Sequence, residues 1–150
     1  MLPIRLVIHL LLARLQQPTL MYLVLPFAIG NPTNKQVKVY STSNNWTTNS
    51  QKGSTLSESS NNNGYGWAVT LSKDGNVLHV GAPDSKKVYS YLYQSSSWSG
   101  FTNNVTPVNN NDKYGYSLST SENGNMLIVG DAYSDINGQN KGSISMYIYN

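Results

Sequence analysis

Between residues 65 and 81 the apolar and polar positions change rhythm twice. Val69 and Leu71 alternate with Ala68, Thr70 and Ser72, the period of two that gives a strand one buried face. Asp74-Gly75-Asn76 interrupts the alternation. Asp-Gly between apolar runs predicts a hairpin closed by a tight primed turn, because such a turn needs positive φ. Val77 to Val80 then form an apolar run broken only by His79, the pattern of a strand covered on both faces. Gly81 ends this run where the backbone must turn or approach a neighbour closely. Lys87 to Tyr93, rich in Tyr and β-branched residues, predicts a third strand.

The same succession is written again 49 residues on. Tyr65-Gly66 recurs as Tyr114-Gly115, the Gly75 turn as Asn123-Gly124-Asn125, the apolar return as Met126 to Val129, and Gly81 as Gly130. Ile144, Tyr147 and Tyr149 repeat Val88, Tyr91 and Tyr93 at a spacing of 56, so about seven residues are added between Gly130 and Ile144. A weaker copy lies upstream, where Ile29-Gly30-Asn31-Pro32, Val37 and Tyr40 match Val80-Gly81-Ala82-Pro83, Val88 and Tyr91 at 51. Self-similarity at a period of roughly 40 to 50 residues with strand-like content predicts propeller blades. The expected fold is all-β, a partial β-propeller of two to three antiparallel blades spanning 27–63, 64–112 and 113–150, with residues 1–26 as a separate apolar segment.

These residues resemble the FG-GAP repeat, the blade of the integrin alpha-subunit β-propeller and of many secreted or surface microbial proteins. Tyr65-Gly66 and Tyr114-Gly115 stand for the family's Phe-Gly, and Gly81-Ala82-Pro83 is its Gly-Ala-Pro unchanged. Gly130-Asp131-Ala132 departs from that pattern, and Gly30-Asn31-Pro32 keeps only its Gly and Pro. The motif positions are thus Tyr65, Gly66, Gly75, Gly81, Pro83, Tyr114, Gly115, Gly124 and Gly130, within a resemblance that runs from about Phe27 to Tyr149. It implies a non-enzymatic binding or adhesion module, extracellular or on the cell surface, recognising a protein or glycan through blade loops. Propellers host many unrelated activities. Two other classes therefore stay open: part of an enzymatic propeller, carbohydrate-active or lipase-associated, and a structural repeat of a larger envelope or wall protein.

Charge and composition narrow the partners. The net charge of +3 depends on scattered residues such as Arg5 and Arg14, and no Lys/Arg cluster with interleaved aromatics marks a nucleic-acid surface. Cysteine is absent, which excludes disulfides and thiolate metal sites. Polar tracts at 57–63 and 109–112 precede the Tyr-Gly step in both copies and read as loops between strands. The 11 Tyr and 3 Trp fall at strand positions, where packing is the first expectation and a sugar-stacking platform the second. Asn45 and Asn104 each begin an Asn-x-Thr acceptor in a predicted loop, making them candidate glycosylation sites on a secretory route.

Residues 1–26 do not follow the repeat, since Leu15 and Val24 stand where Gly66 and Gly75 have their counterparts. A basic Arg5 before the apolar run Leu6 to Ala13 outlines a secretory signal, interrupted by Arg14, Gln16, Gln17 and Pro18. A signal or anchor, a divergent first blade and an artefactual gene start all fit. Membrane contact is expected only through an anchor here. Three Gly-x-Pro-like signals give at most three blades where closed propellers have about four to eight, so further blades in the same or other chains are expected.

The supply of catalytic groups is thin. His9 lies in the apolar segment, and His79 stands where the next copy has Ile128, a packing position. No pair of carboxylates has the spacing of an acid/base couple, and nucleophile-elbow, P-loop and zinc-protease motifs are missing. The added loop holds one ligand-like set, Asp131, Asp135 and Asn137, with Gln139 and a turning Gly138. Calcium requires six to eight hard oxygens. Some members of the resembled family bind calcium in Asp-rich blade loops, but this loop has only two acids, and a plain Asx/Gly turn fits it as well. No other cofactor is expected.

Overall fold

A computed structural model describes residues 26–43, 48–59, 64–100, 105–106, 113–134 and 141–149. Almost all of the N-terminal segment, the acceptors Asn45 and Asn104, and the loop residues Asp135 and Asn137 lie outside the described residues.

The described chain is all-β, in three antiparallel sheets, none of which closes on itself. The first contains β1 (Pro26–Asn31), β2 (Gln36–Ser43) and β3 (Thr48–Gln51), with β4 (Leu56–Ser57) also pairing with β2. The second is the meander β5 (Val69–Leu71), β6 (Val77–Ala82), β7 (Lys87–Gln94) and β8 (Ser97–Gly100). The third is β9 (Tyr114–Thr120), β10 (Met126–Asp131) and β11 (Ser143–Ile148). The sequence repeat is preserved in the register. Gly30 opposes Val37, Gly81 opposes Val88 and Gly130 opposes Ile144, while His79 opposes Ser90 as Ile128 opposes Met146.

The Gly turns share most of their hydrogen bonds, although not as the tight turn that Asp-Gly suggests. Lys73 to Asn76 form a four-residue connection: Gly75 N donates to Ser72 O, the N–H groups of Asn76 and Val77 donate to Ser72 Oγ, and Asn76 N also donates to Asp74 Oδ1. The second turn repeats three of these bonds, Gly124 N donating to Ser121 O, Asn125 N to Asn123 Oδ1 and Met126 N to Ser121 Oγ. Side-chain oxygens satisfy the turn's amides, so only the glycine, at φ 71 in Gly75 and 77 in Gly124, needs the left-handed region. The two-residue loop with both residues at positive φ lies elsewhere, at Ser95 (φ 49) and Ser96 (φ 64) between β7 and β8. The β8 strand it leads into has no counterpart in the predicted three-strand unit.

Successive sheets stack face to face, and each contact buries a core. Between the first two lie Val37 and Val39 of β2 and Leu78, Val80 and Ala82 of β6, all at most 1% exposed, with Tyr65 among them. Between the second and third lie Val88, Tyr114, Leu127 and Val129. Burying one such aliphatic side chain contributes about 1.5–3 kcal/mol. Trp98 of β8 adds a clasp, its Nε1 donating to Lys52 O at 2.7 Å beside the first sheet.

The two contacts are built on the same glycines. A Cβ on Gly30 would run into the carbonyl oxygen of Gly66, and one on Gly81 into that of Gly115. Gly75 packs on Pro26 as Gly124 packs on Val77. Lys73 N donates to Glu122 O at 2.8 Å, and the side chains of these two repeat-equivalent residues form an exposed ion pair at 3.2 Å. One face of β10 differs from the predicted fully covered strand: Met126 and Ile128 are exposed while Leu127 and Val129 are buried, because no described sheet lies on that side.

Candidate binding surface

The Tyr-Gly step has the same geometry in both copies. Gly66 and Gly115 hold φ 89 and 88, and the turns around them are closed by Trp67 N donating to Gly64 O and Tyr116 N donating to Lys113 O. A left-handed glycine between two aromatics turns the first inward and leaves the second outside. Tyr65 and Tyr114 are buried at 0% and 1% exposure. Trp67 and Tyr116 are 50% and 37% exposed.

Inside the sheets, the inward Tyr of each Tyr-Gly step finds a second phenol. Tyr65 pairs with Tyr91 at 3.0 Å, and Tyr114 with Tyr147, its repeat equivalent. A buried hydroxyl without a partner costs free energy. The buried Tyr of each Tyr-Gly step is thus matched by a second Tyr on the third strand of the unit. Burial, reinforced by the neighbouring phenols, pushes both Tyr65 and Tyr114 well above the usual phenol range. Burial first and then the Glu58 carboxylate push Tyr89 up to about 12. These phenols remain neutral and serve packing.

Outside, the exposed rings form a row across the two sheets. Trp67 and Tyr116 lie with centroids 5.2 Å apart, and Tyr116 meets Tyr133 edge to face at 6.2 Å. Tyr133 lies two residues past the end of β10 and is 49% exposed. Beside the row, Lys113 is ion-paired with Asp84, which joins the 3₁₀ turn Pro83–Ser85 to the next Tyr-Gly step. Three neighbouring aromatic faces with a charged pair alongside suit contact with a sugar ring or with apolar side chains of a protein.

The ligand-like set of the added loop is only partly visible. Asp131 is the last residue of β10, in the place of Ala82, and not a loop residue; it is buried, and its Oδ1 accepts from Lys113 N and Tyr133 N, both at 3.2 Å. Its Oδ2 and the Ser134 hydroxyl are buried without a hydrogen-bond partner among the described residues. Two oxygens fall far short of the six to eight that calcium takes. No group of three or more His, Cys, Asp or Glu able to hold a metal occurs among the described residues. Adding calcium is expected to leave the melting temperature where it is; a rise that a chelator reverses would mean that residues beyond Ser134 complete a site, by mass action on the folded state.

His79 has the one arrangement that looks catalytic on paper. Its Nδ1 lies 2.8 Å from Ser90 Oγ, within the range of a nucleophile and its base. Both residues are at most 2% exposed, in the contact between the second and third sheets, and the imidazole stacks on Tyr149 at 5.7 Å. A substrate has no route to them without parting the sheets. Sequence reasoning placed His79 as a packing residue and missed the aromatic row, whose signal was the repetition of an aromatic directly after Tyr-Gly. No family model, no curated protein and no solved structure matches the chain.

Proposed function

We propose that the three sheets are successive blades of a propeller-type array of the FG-GAP kind, and that the chain is a non-enzymatic binding module whose Tyr-Gly edge recognises a protein or glycan. The observation that carries this reading is the row Trp67, Tyr116 and Tyr133: two exposed aromatics at a repeated position, each held by the same hydrogen-bonded turn, and a third ring beside them. Large rings fixed by the backbone lose little conformational entropy on binding, which is why such residues anchor interfaces. Action outside the cell or at its surface follows from the family resemblance and from the signal-like residues 1–26.

The chain should be screened against immobilised polysaccharides and cell-surface proteins, and any partner then titrated with Trp67→Ala and Tyr116→Ala. Each variant is expected to weaken binding by about 2 kcal/mol, roughly thirtyfold, with folding unchanged. Undiminished affinity in both variants would move the site away from this edge. A turnover lost on changing His79 or Ser90 would replace the binding module with an enzyme.

A further inference from the structure

The outward side of the first sheet differs in chemistry from the matching side of the second. Strand alternation sends Val37 and Val39 of β2 into the core, so Gln36, Lys38 and Tyr40 share the opposite face. The register sets them beside Asn31, Ile29 and Phe27 of β1, in that order. At the equivalent places of the second sheet stand Leu78, Val80 and Ala82 on β6 with Lys87, Tyr89 and Tyr91 on β7, and Leu78, Val80 and Ala82 are core residues. The first sheet thus puts Asn31 where the second has Ala82, and Lys38 where it has Tyr89. An apolar contact gains nothing from an amide and a cation, whereas a polar ligand is oriented by them.

Ile29, Asn31, Asn34, Gln36, Lys38 and Tyr40 line a cleft of about 250 Å³. Pockets for drug-sized ligands start at roughly 300 Å³, so this one has room for a single ring with its substituents. Gln36, Lys38 and Tyr40 are half-buried. Lys38 is the one cation among the described lining residues, and among the described residues it makes no ion pair or hydrogen bond, unlike Lys73 and Lys113. Asn34 N donates to Asn31 Oδ1 at 3.1 Å, which fixes that carboxamide and keeps its NH2 group as a donor. Phe27 stacks on Tyr40 at 5.2 Å and steadies the ring. Same-face neighbours on a strand lie about 7 Å apart, so amide, ammonium and aromatic ring follow one another along β2 at short, regular steps.

We propose that this cleft binds an acidic sugar, a uronate residue of a glycan. Its carboxylate accepts from Lys38 Nζ, its hydroxyls meet the amides of Asn31, Asn34 and Gln36, and the apolar face of its ring lies on Tyr40. A single ammonium matches a monoanion. A doubly charged phosphate or a sulfated tract draws instead on arginine or on a cluster of cations. The site is built on β1 and β2 and needs nothing from the Trp67 row, so it stands or falls independently of that surface.

Magnetic-resonance titration of the whole isotope-labelled chain tests it, with short oligomers of galacturonate, mannuronate and guluronate as probes and galactose and mannose oligomers as neutral controls. The signals of Asn31, Gln36 and Lys38 are expected to move with at least one acidic oligomer while the Trp67 indole stays in place. That oligomer should bind about tenfold more tightly than its neutral control, the size of one hydrogen bond to a charged group, and more weakly as salt is raised. Lys38→Gln is expected to remove the preference for acid and Lys38→Arg to retain it, the amide spectrum of each variant reporting an intact fold. The proposal is overturned if no acidic oligomer moves these signals, or if acidic and neutral oligomers bind alike. Movement confined to Trp67 and Tyr116 overturns it too, and so does an acid preference that survives Lys38→Gln.

Discussion

Replacing Gly81 with alanine is expected to cost about 3 kcal/mol, the upper part of the usual range for overpacking, and to lower the melting temperature by on the order of 10 °C. The added methyl group points at the Gly115 carbonyl, and backbone cannot rotate aside as a side chain can. Relief requires the second and third sheets to separate, which exposes Val88, Tyr114, Leu127 and Val129. Gly30, against the Gly66 carbonyl, should behave alike. Gly130 supplies the internal control: a Cβ there would meet the Ser117 hydroxyl, which can turn away, and Gly130→Ala should cost well under half as much. Equal losses at Gly81 and Gly130, measured by denaturant unfolding, would place the requirement within each sheet instead of between sheets.

Acid should loosen the same contact. Burial pushes His79 down to about 4, against a smaller upward pull from the Gly124 backbone. The unfolded chain therefore takes up the proton near pH 6.5 while the folded chain does not, so stability falls as pH drops from about 6.5 and levels off near 4. Integrated over that window the loss is roughly 3 kcal/mol. Asp74 titrates lower: burial pushes it up, but hydrogen bonds from Ser72 and Asn76 and the Lys52 charge outweigh this and hold it below the usual carboxylate range. It adds a separate loss in stronger acid. His79→Ile should remain folded and be flat between pH 6.5 and 4. If its unfolding curve keeps the same acid limb, the proton goes somewhere else.

The positions of the strands were legible in the sequence, and the neighbours of those strands were not. Alternation at Val69 and Leu71, the apolar returns to Gly81 and Gly130 and the Tyr-rich third strands locate β5, β6, β7, β9, β10 and β11, because each signal is local. Aligning His79 with Ile128 gave the right register but the wrong equivalence of surroundings: His79 is fully buried and Ile128 is 43% exposed. Burial at that position depends on whether another sheet lies against it, which no local pattern encodes. The Ser95-Ser96 turn escaped for a different reason. Serine is a poor signal for positive φ, and here the pairing of β7 with β8, seated by Trp98, overrides local preference. The aromatic row was visible as letters, but its exposure and the 5.2 Å separation of its rings required the third dimension.

Because Lys73 lies against Glu122 and Trp67 against Tyr116, equivalent positions of consecutive repeats are one another's neighbours. Such a site is judged against its own copy. Aromatic residues tolerate this, since a ring stacks well on an identical ring, and the row can lengthen by simple duplication of the unit. Charged residues do not, because a perfectly duplicated unit would set lysine on lysine. An exposed pair of this kind is worth less than about 1 kcal/mol, but the sign reverses and the effect recurs at every junction. Duplication followed by drift at a few self-facing positions is therefore electrostatically favoured over exact copying, and a consensus version of this chain with Lys at both 73 and 122 would be the less stable molecule.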